Sequence, residues 1–161
     1  MAVTVRPAGV DEWRLLRALR LAALADAPGA FGSTVEHEAA FSDDEWGPWL
    51  APLQWFVADE DGQAVGLVAA TMEGQAQPGR CEVLSMWVSP RARRHGAGAA
   101  LVEAVGGWAH GRHGSVLTLG VAEGNDSARR FYERLGFRPT GAREALHRDP
   151  SRYIDEYSLP I

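Results

Sequence analysis

The sequence predicts a mixed α/β domain, a central sheet flanked by helices, with its elements in the order β-α-α-β-β-β-α-β-α-β-β. Three observations carry this. Short apolar runs bounded by Gly, Pro and Asp alternate with segments whose apolar residues recur at helical spacing. Helix start and stop signals punctuate those segments. One strand, ending at Val88, runs into a basic loop with glycines that opens a helix.

Taken in order, Ala2–Pro7 is a short strand. From Val10 to about Asp26, Trp13, Leu16, Leu19/Arg20 and Ala23/Leu24 recur at helical spacing, and Pro28-Gly29 ends the pattern. Ser42-Asp-Asp-Glu45 is a capping box that opens a second helix through Leu50. Gln54–Asp59 and Ala64–Met72 are strands joined by the hairpin signal Glu60-Asp61-Gly62. Arg80–Val88 is the strand that feeds the loop. Leu101, Val105 and Trp108 then mark one face of a helix from Gly96 to about Arg112, and Ser115–Val121 is an apolar strand. Asn125 is the expected N-cap of the last helix, striped by Ala128, Phe131, Tyr132 and Leu135 and stopped by Gly136. Phe137–Leu146 and Ser151–Leu159 form a closing pair of strands around Asp149-Pro150.

A chain of 161 residues with 46% hydrophobic and 23% charged residues suits one domain spanning 1–161 with a proper core. No apolar run approaches the roughly 18–20 residues needed to cross a membrane, so no membrane partner is expected. Met1-Ala-Val-Thr-Val-Arg-Pro7 lacks the apolar core of a signal peptide, and the lone Cys81 can form no intrachain disulfide; a cytoplasmic location is expected. The net charge of −5 argues against nucleic acid as a partner and mildly favours a cationic co-substrate. His110, His113 and His147 show no metal-ligand spacing with each other or with Cys81, so no metal is expected.

The loop Pro90-Arg-Ala-Arg93-Arg94-His95-Gly96-Ala97-Gly98-Ala99 puts free backbone N–H groups and a helix N-terminus at the end of a strand. That is a site for phosphate. Arg91, Arg93 and Arg94 add cationic side chains, and Gly96 and Gly98 remove side chains where an anion would approach the backbone. The spacing fits neither a P-loop nor a dinucleotide fingerprint.

It does fit Arg/Gln-x-x-Gly-x-Gly/Ala, here Arg93-Arg-His-Gly96-Ala-Gly98, and resembles the acetyl-CoA signature of the GNAT superfamily of N-acetyltransferases. Asn125-Asp-Ser-Ala128-Arg-Arg-Phe131-Tyr132-Glu-Arg-Leu135-Gly136-Phe137 resembles the later motif N-x-x-A-x-x-x-Y-x-x-x-G-F of that family, and Asp26–Thr34 resembles a subset of its bacterial members. The resemblance implies the GNAT-like arrangement of the sheet, acetyl-CoA as co-substrate and an amine acceptor, either a small molecule or a protein. It implies that Met86, Trp87 and Val88, then Arg93 through Ala99, hold the cofactor together with Asn125, Ala128 and Tyr132. Dimers are common in that family, which makes a homodimer an option for this chain.

Acetyl transfer needs an amine with a free lone pair. A lysine-like amine has a pKa of about 10.4, so deprotonating it at pH 7 costs about 4.6 kcal/mol, and a general base or a pKa-lowering pocket must help. By the resemblance Tyr132 is the candidate general acid for the departing thiolate, and Glu82 the candidate base. Glu82 lies six residues before Val88, and strand parity predicts one face for Glu82, Leu84, Met86 and Val88. The acetylases of ribosomal proteins carry a glutamate five residues before the motif asparagine; here that position is Gly120, which would open space near the acetyl group. Phe31, Glu36 and Trp87 are the candidate acceptor contacts. Asp43, Asp44 and Glu45 are explained by the capping box. The rival reading is a non-catalytic acyl-CoA sensor, which would have no use for an acid at Tyr132; a toxin-like acetylase of aminoacyl-tRNA is disfavoured by the net charge. The identity of the amine rests on loops whose shape the sequence does not give.

Overall fold

A computed structural model of the chain describes residues 2–147 and 149–161. Its strands are β1 (Val3–Ala8), β2 (Gln54–Glu60), β3 (Gln63–Met72), β4 (Arg80–Val88), β5 (Val116–Ala122), β6 (Arg138–Leu146) and β7 (Asp149–Pro160). Its helices are α1 (Trp13–Asp26), α2 (Val35–Ala39), α3 (Asp43–Leu50), α4 (Ala97–His110) and α5 (Asp126–Arg134). The strands form one sheet in the spatial order β1-β2-β3-β4-β5-β7-β6, antiparallel throughout except for the β4–β5 pair. This is the mixed α/β, GNAT-like architecture that the sequence predicts.

Two local departures have physical causes. The first helical stretch begins as a 3-10 turn at Val10–Glu12 before α1 proper. The five-residue α2, which the apolar pattern does not signal, is capped by Thr34, whose Oγ1 accepts from the His37 amide at 3.1 Å. Its buried residue is Glu38, so hydrophobic periodicity has nothing to detect there.

Each face of the sheet has its own core. Leu101, Val105 and Ala109 of α4 pack with Val68, Ala70, Cys81 and Val83 on one face. Leu16, Leu19 and Ala23 of α1 and Trp46 and Leu50 of α3 pack with Leu67, Ala69 and Trp87 on the other. Along β3, Leu67 and Ala69 thus alternate with Val68 and Ala70, the strand period of two. Burying each Leu or Val side chain contributes about 1.5–3 kcal/mol, so these two clusters hold the sheet rigid around the site.

β4 carries a bulge. Leu67 pairs with Trp87 and Ala69 with Leu84, so two residues of β3 oppose a longer stretch of β4, and Ser85 takes a left-handed φ of 55°. The bulge corrects the parity expected from the sequence. Leu84 and Trp87 join the α1 face, whereas Met86 and Val88 turn to the α4 face with Cys81 and Val83. Glu82 therefore keeps company with Leu84 but not with Met86 or Val88. β4 and β5 pair only at Arg80–Glu82 with Val116–Thr118; beyond Glu82 the two parallel strands part.

A candidate acetyl-transfer cleft

Where β4 and β5 part, a cleft of about 620 Å³ opens between them. Its floor and walls include Glu82, Ser85 and Met86 of β4, Gly120 of β5, and Asn125, Ala128 and Tyr132 of the turn and helix that follow. Residues that the sequence left far apart thus line one cavity.

Beyond the C-terminal end of β4, the loop turns through a 3-10 segment at Pro90–Ala92 into α4. Gly96 is the N-cap with φ 91°, a left-handed conformation that a side chain would strain. The first helical bond runs from the Ala100 amide to the Gly96 carbonyl at 3.0 Å, which leaves the amides of Ala97, Gly98 and Ala99 ahead of it. Arg91 and Arg94 are exposed and pair with no carboxylate among the described residues. Such a helix end with two uncommitted guanidinium groups fits a pyrophosphate. One part of the expectation changes. The Arg93 side chain is committed elsewhere: its Nε donates to the Val88 carbonyl at 3.0 Å and its Nη2 to Asp26 Oδ2 at 2.5 Å. The His95 imidazole engages Glu60 Oε1 through Nδ1 at 2.7 Å. And Gly98 is small because the Phe131 ring lies over it: an added Cβ would sit 2.9 Å from Phe131 Cζ.

Tyr132 is buried between Phe131 and Phe137, with ring centroids 5.1 and 5.5 Å away. It borders the cleft, and its hydroxyl has no protein partner among the described residues. Burial pushes that hydroxyl above the usual tyrosine range, which keeps it protonated. Asn125 caps α5, its Oδ1 accepting from the Ala128 amide at 3.3 Å, while its amide nitrogen stays available to the cleft.

Glu82 sits at the fork of the strands. Partial burial is the main force raising its pKa, and Glu73, Glu144 and Glu156 push the same way while Arg80 opposes them. Arg80 is itself held by Glu73 at 2.9 Å and by Glu156. A carboxylate so placed is a stronger base than one in water.

The acceptor side differs most from expectation. Phe31 lines the cleft. Glu36 does not: it is exposed on α2, about 200° around the helix from the buried Glu38. Trp87 is also outside. It packs on the α1 face with its indole Nε1 donating to Asp26 Oδ2 at 2.9 Å, and together with Arg93 it holds the Asp26 carboxyl below the usual range. Gly120 opens no space either, since Ile154 of β7 fills it and a Cβ there would lie 2.5 Å from Ile154 Cγ2. Sequence reasoning missed Arg20, Ser85, Glu144 and Ile154, all of which border the cleft. Only the buried charge of Arg20 within an apolar helical stripe, next to Leu19, could have hinted at one of them.

A sequence model of the Acetyltransferase (GNAT) family matches residues 20–137. The mycothiol acetyltransferase of Thermobispora bispora is 37% identical over 135 residues, covering 80% of this chain and 43% of that protein. The mycothiol acetyltransferase of Parafrankia sp. is 35% identical over 170 residues, covering 93% and 50%. The chain spans about half the length of these curated relatives. Among solved structures, the GNAT-family acetyltransferase from Streptococcus pneumoniae aligns with a TM-score of 0.80 at 17% identity over 99% of both chains. The GCN5-related N-acetyltransferase from Kribbella flavida aligns with a TM-score of 0.76 at 22% identity, over 99% of this chain and 98% of that one. At such identities the structural likeness speaks to the fold.

Proposed function

The chain belongs to the GNAT acetyltransferase family, and from that premise we propose that it transfers an acetyl group from acetyl-CoA to an amine held in the β4–β5 cleft. One observation carries this reading: β4 and β5 part into a cavity bordered by Glu82 and by Tyr132, whose hydroxyl has no protein partner among the described residues, and the same strand β4 leads on to the helix end with free amides. Glu82, directly or through a water, takes the proton of the incoming ammonium. The freed lone pair attacks the thioester carbonyl in a ternary complex, the C–N bond forms and the C–S bond breaks. Tyr132 supplies the proton that the departing thiolate needs. Cys81 is buried and points to the α4 core, and burial pushes its thiol up to about 11, so it is a poor nucleophile for an acetyl-enzyme route.

The acceptor is proposed to be cationic, because Glu82 and Glu144 border the cleft with no salt-bridge partner among the described residues. Two of the curated relatives are named mycothiol acetyltransferases, and that name makes a small molecule the acceptor class to try first.

The test is coenzyme A release from acetyl-CoA across a broad panel of amines. Turnover on one class is expected, with kcat lowered about 100-fold in Tyr132→Phe and acetyl-CoA affinity unchanged. Tight acetyl-CoA binding without turnover of any amine would favour the sensor reading instead.

A further inference from the structure

The buried Arg20 of α1 connects two regions that the transfer reading treats separately. Its Nε and Nη2 form a two-pronged pair with Glu38 of α2, at 2.8 and 2.9 Å, and its Nη1 donates to Ser85 Oγ at 3.0 Å. The guanidinium carbon also lies 5.1 Å from the Phe31 ring centroid and 5.4 Å from that of Trp49. Arg20 and Glu38 are 6% and 1% exposed, so this is an interior device and no surface ion pair.

What Arg20 grips is the strained point of β4. Ser85 holds φ 55°, a region that residues with a Cβ rarely occupy and that persists only where surroundings enforce it. The bulge decides which way Met86 faces and lies on the edge of β4 that has left β5. We propose that Arg20 is a positioning residue for acetyl transfer: through Ser85 it fixes the β4 bulge beside the proposed thioester site, and through Glu38 it ties that bulge to α2. The proposal rests on the acetyl-transfer reading for its catalytic consequence, but not for the brace itself.

Arg20→Met would strand Glu38 without a partner in the interior and endanger folding, so the test uses Arg20→Lys, Ser85→Ala and Ser85→Gly. Lysine keeps the charge beside Glu38 but lacks the fork that reaches both partners. With the amine turned over fastest in the panel, Arg20→Lys should lower kcat about 100-fold, with the KM for acetyl-CoA unchanged. Glycine adopts the left-handed bulge without strain and needs no brace. In the Ser85→Gly background, Arg20→Lys should therefore cost no more than about twofold, the scatter expected of uncoupled sites. An equal loss in both backgrounds would overturn the proposal, because Arg20 would then act other than through Ser85. Hydrogen exchange reads the brace with no acceptor present: Arg20→Lys and Ser85→Ala should speed deuterium uptake in a peptide spanning residues 80–88 and leave α4 unchanged. Unchanged uptake there overturns the brace, whereas a wild-type protein that acetylates no amine overturns only the transfer reading.

Discussion

The α4 end and the β4–β5 cleft are built from different materials. The proposed phosphate end is mostly backbone: a left-handed Gly96, the first amides of α4, and a glycine at 98 that lets Phe131 close in. The proposed acceptor end is mostly side chains, brought together from α1, β4, β6 and β7 as Arg20, Ser85, Glu144 and Ile154. Backbone recognition demands special residues at fixed local spacing, because φ and the absence of a Cβ are set residue by residue. A wall of side chains demands only that distant elements meet. The first leaves a motif, and the second leaves almost none.

The sharpest break of this contrast is Gly98→Glu. Any side chain at 98 must move the Phe131 ring, and a carboxylate there meets the amides and the phosphate charge together. Acetyl-CoA binding, measured by calorimetry, should weaken at least about 100-fold, or about 2.7 kcal/mol. Gly98→Ala isolates the Phe131 contribution and should weaken binding less. Wild-type affinity in the glutamate variant would mean that the cofactor enters elsewhere.

Glu82→Gln probes the junction of the two ends. It should lower kcat about 100-fold and leave acetyl-CoA affinity intact, since only proton transfer is lost. The sign of the pH dependence follows from the cause of the shift. Burial and three acidic neighbours raise the pKa of Glu82, so wild-type activity should fall with decreasing pH above the ordinary carboxylate range, and the variant should lack that limb. Stability moves the opposite way. A carboxyl whose folded pKa exceeds its unfolded value destabilises the fold once it ionises, so Glu82→Gln should raise Tm at pH 8 and change it little at pH 4. Thermal melts at the two pH values check this.

The same contrast explains what the sequence revealed. All seven strands were legible, as were the capping box at Ser42 and the cap at Asn125, because each rests on spacing or on a local hydrogen bond. The face of Met86 was not, because one extra residue at Ser85 reverses every side chain after it and serine carries no signal for a left-handed φ. Trp87 was assigned to ligands for its place beside the loop and Arg93 by the motif, yet both side chains hold Asp26, 61 and 67 residues away in sequence. Gly120 suggested open space, since no local rule foretells that Ile154 folds over it. The motif marked the proposed cofactor loop by local spacing. Which side chains line the cleft was decided by tertiary contacts.

The gentlest test acts on the acceptor end alone. Glu144 lies on β6, a strand whose residues are exposed from Arg138 through Ala145, and it borders the cleft with no salt-bridge partner among the described residues. It contributes to the raised pKa of Glu82, after burial and Glu73. Removing its charge in Glu144→Gln should therefore let Glu82 ionise more easily and move the acid limb of kcat/KM slightly toward lower pH. The same change should raise the KM of a cationic amine a few-fold, about what loss of one exposed charge pair is worth. Both effects should shrink as salt is raised, because an exposed charge is screened over about 8 Å at 0.15 M. A limb that moved toward higher pH, or a KM rise indifferent to salt, would show that Glu144 acts by contact or shape and that the acceptor wall does not select by charge.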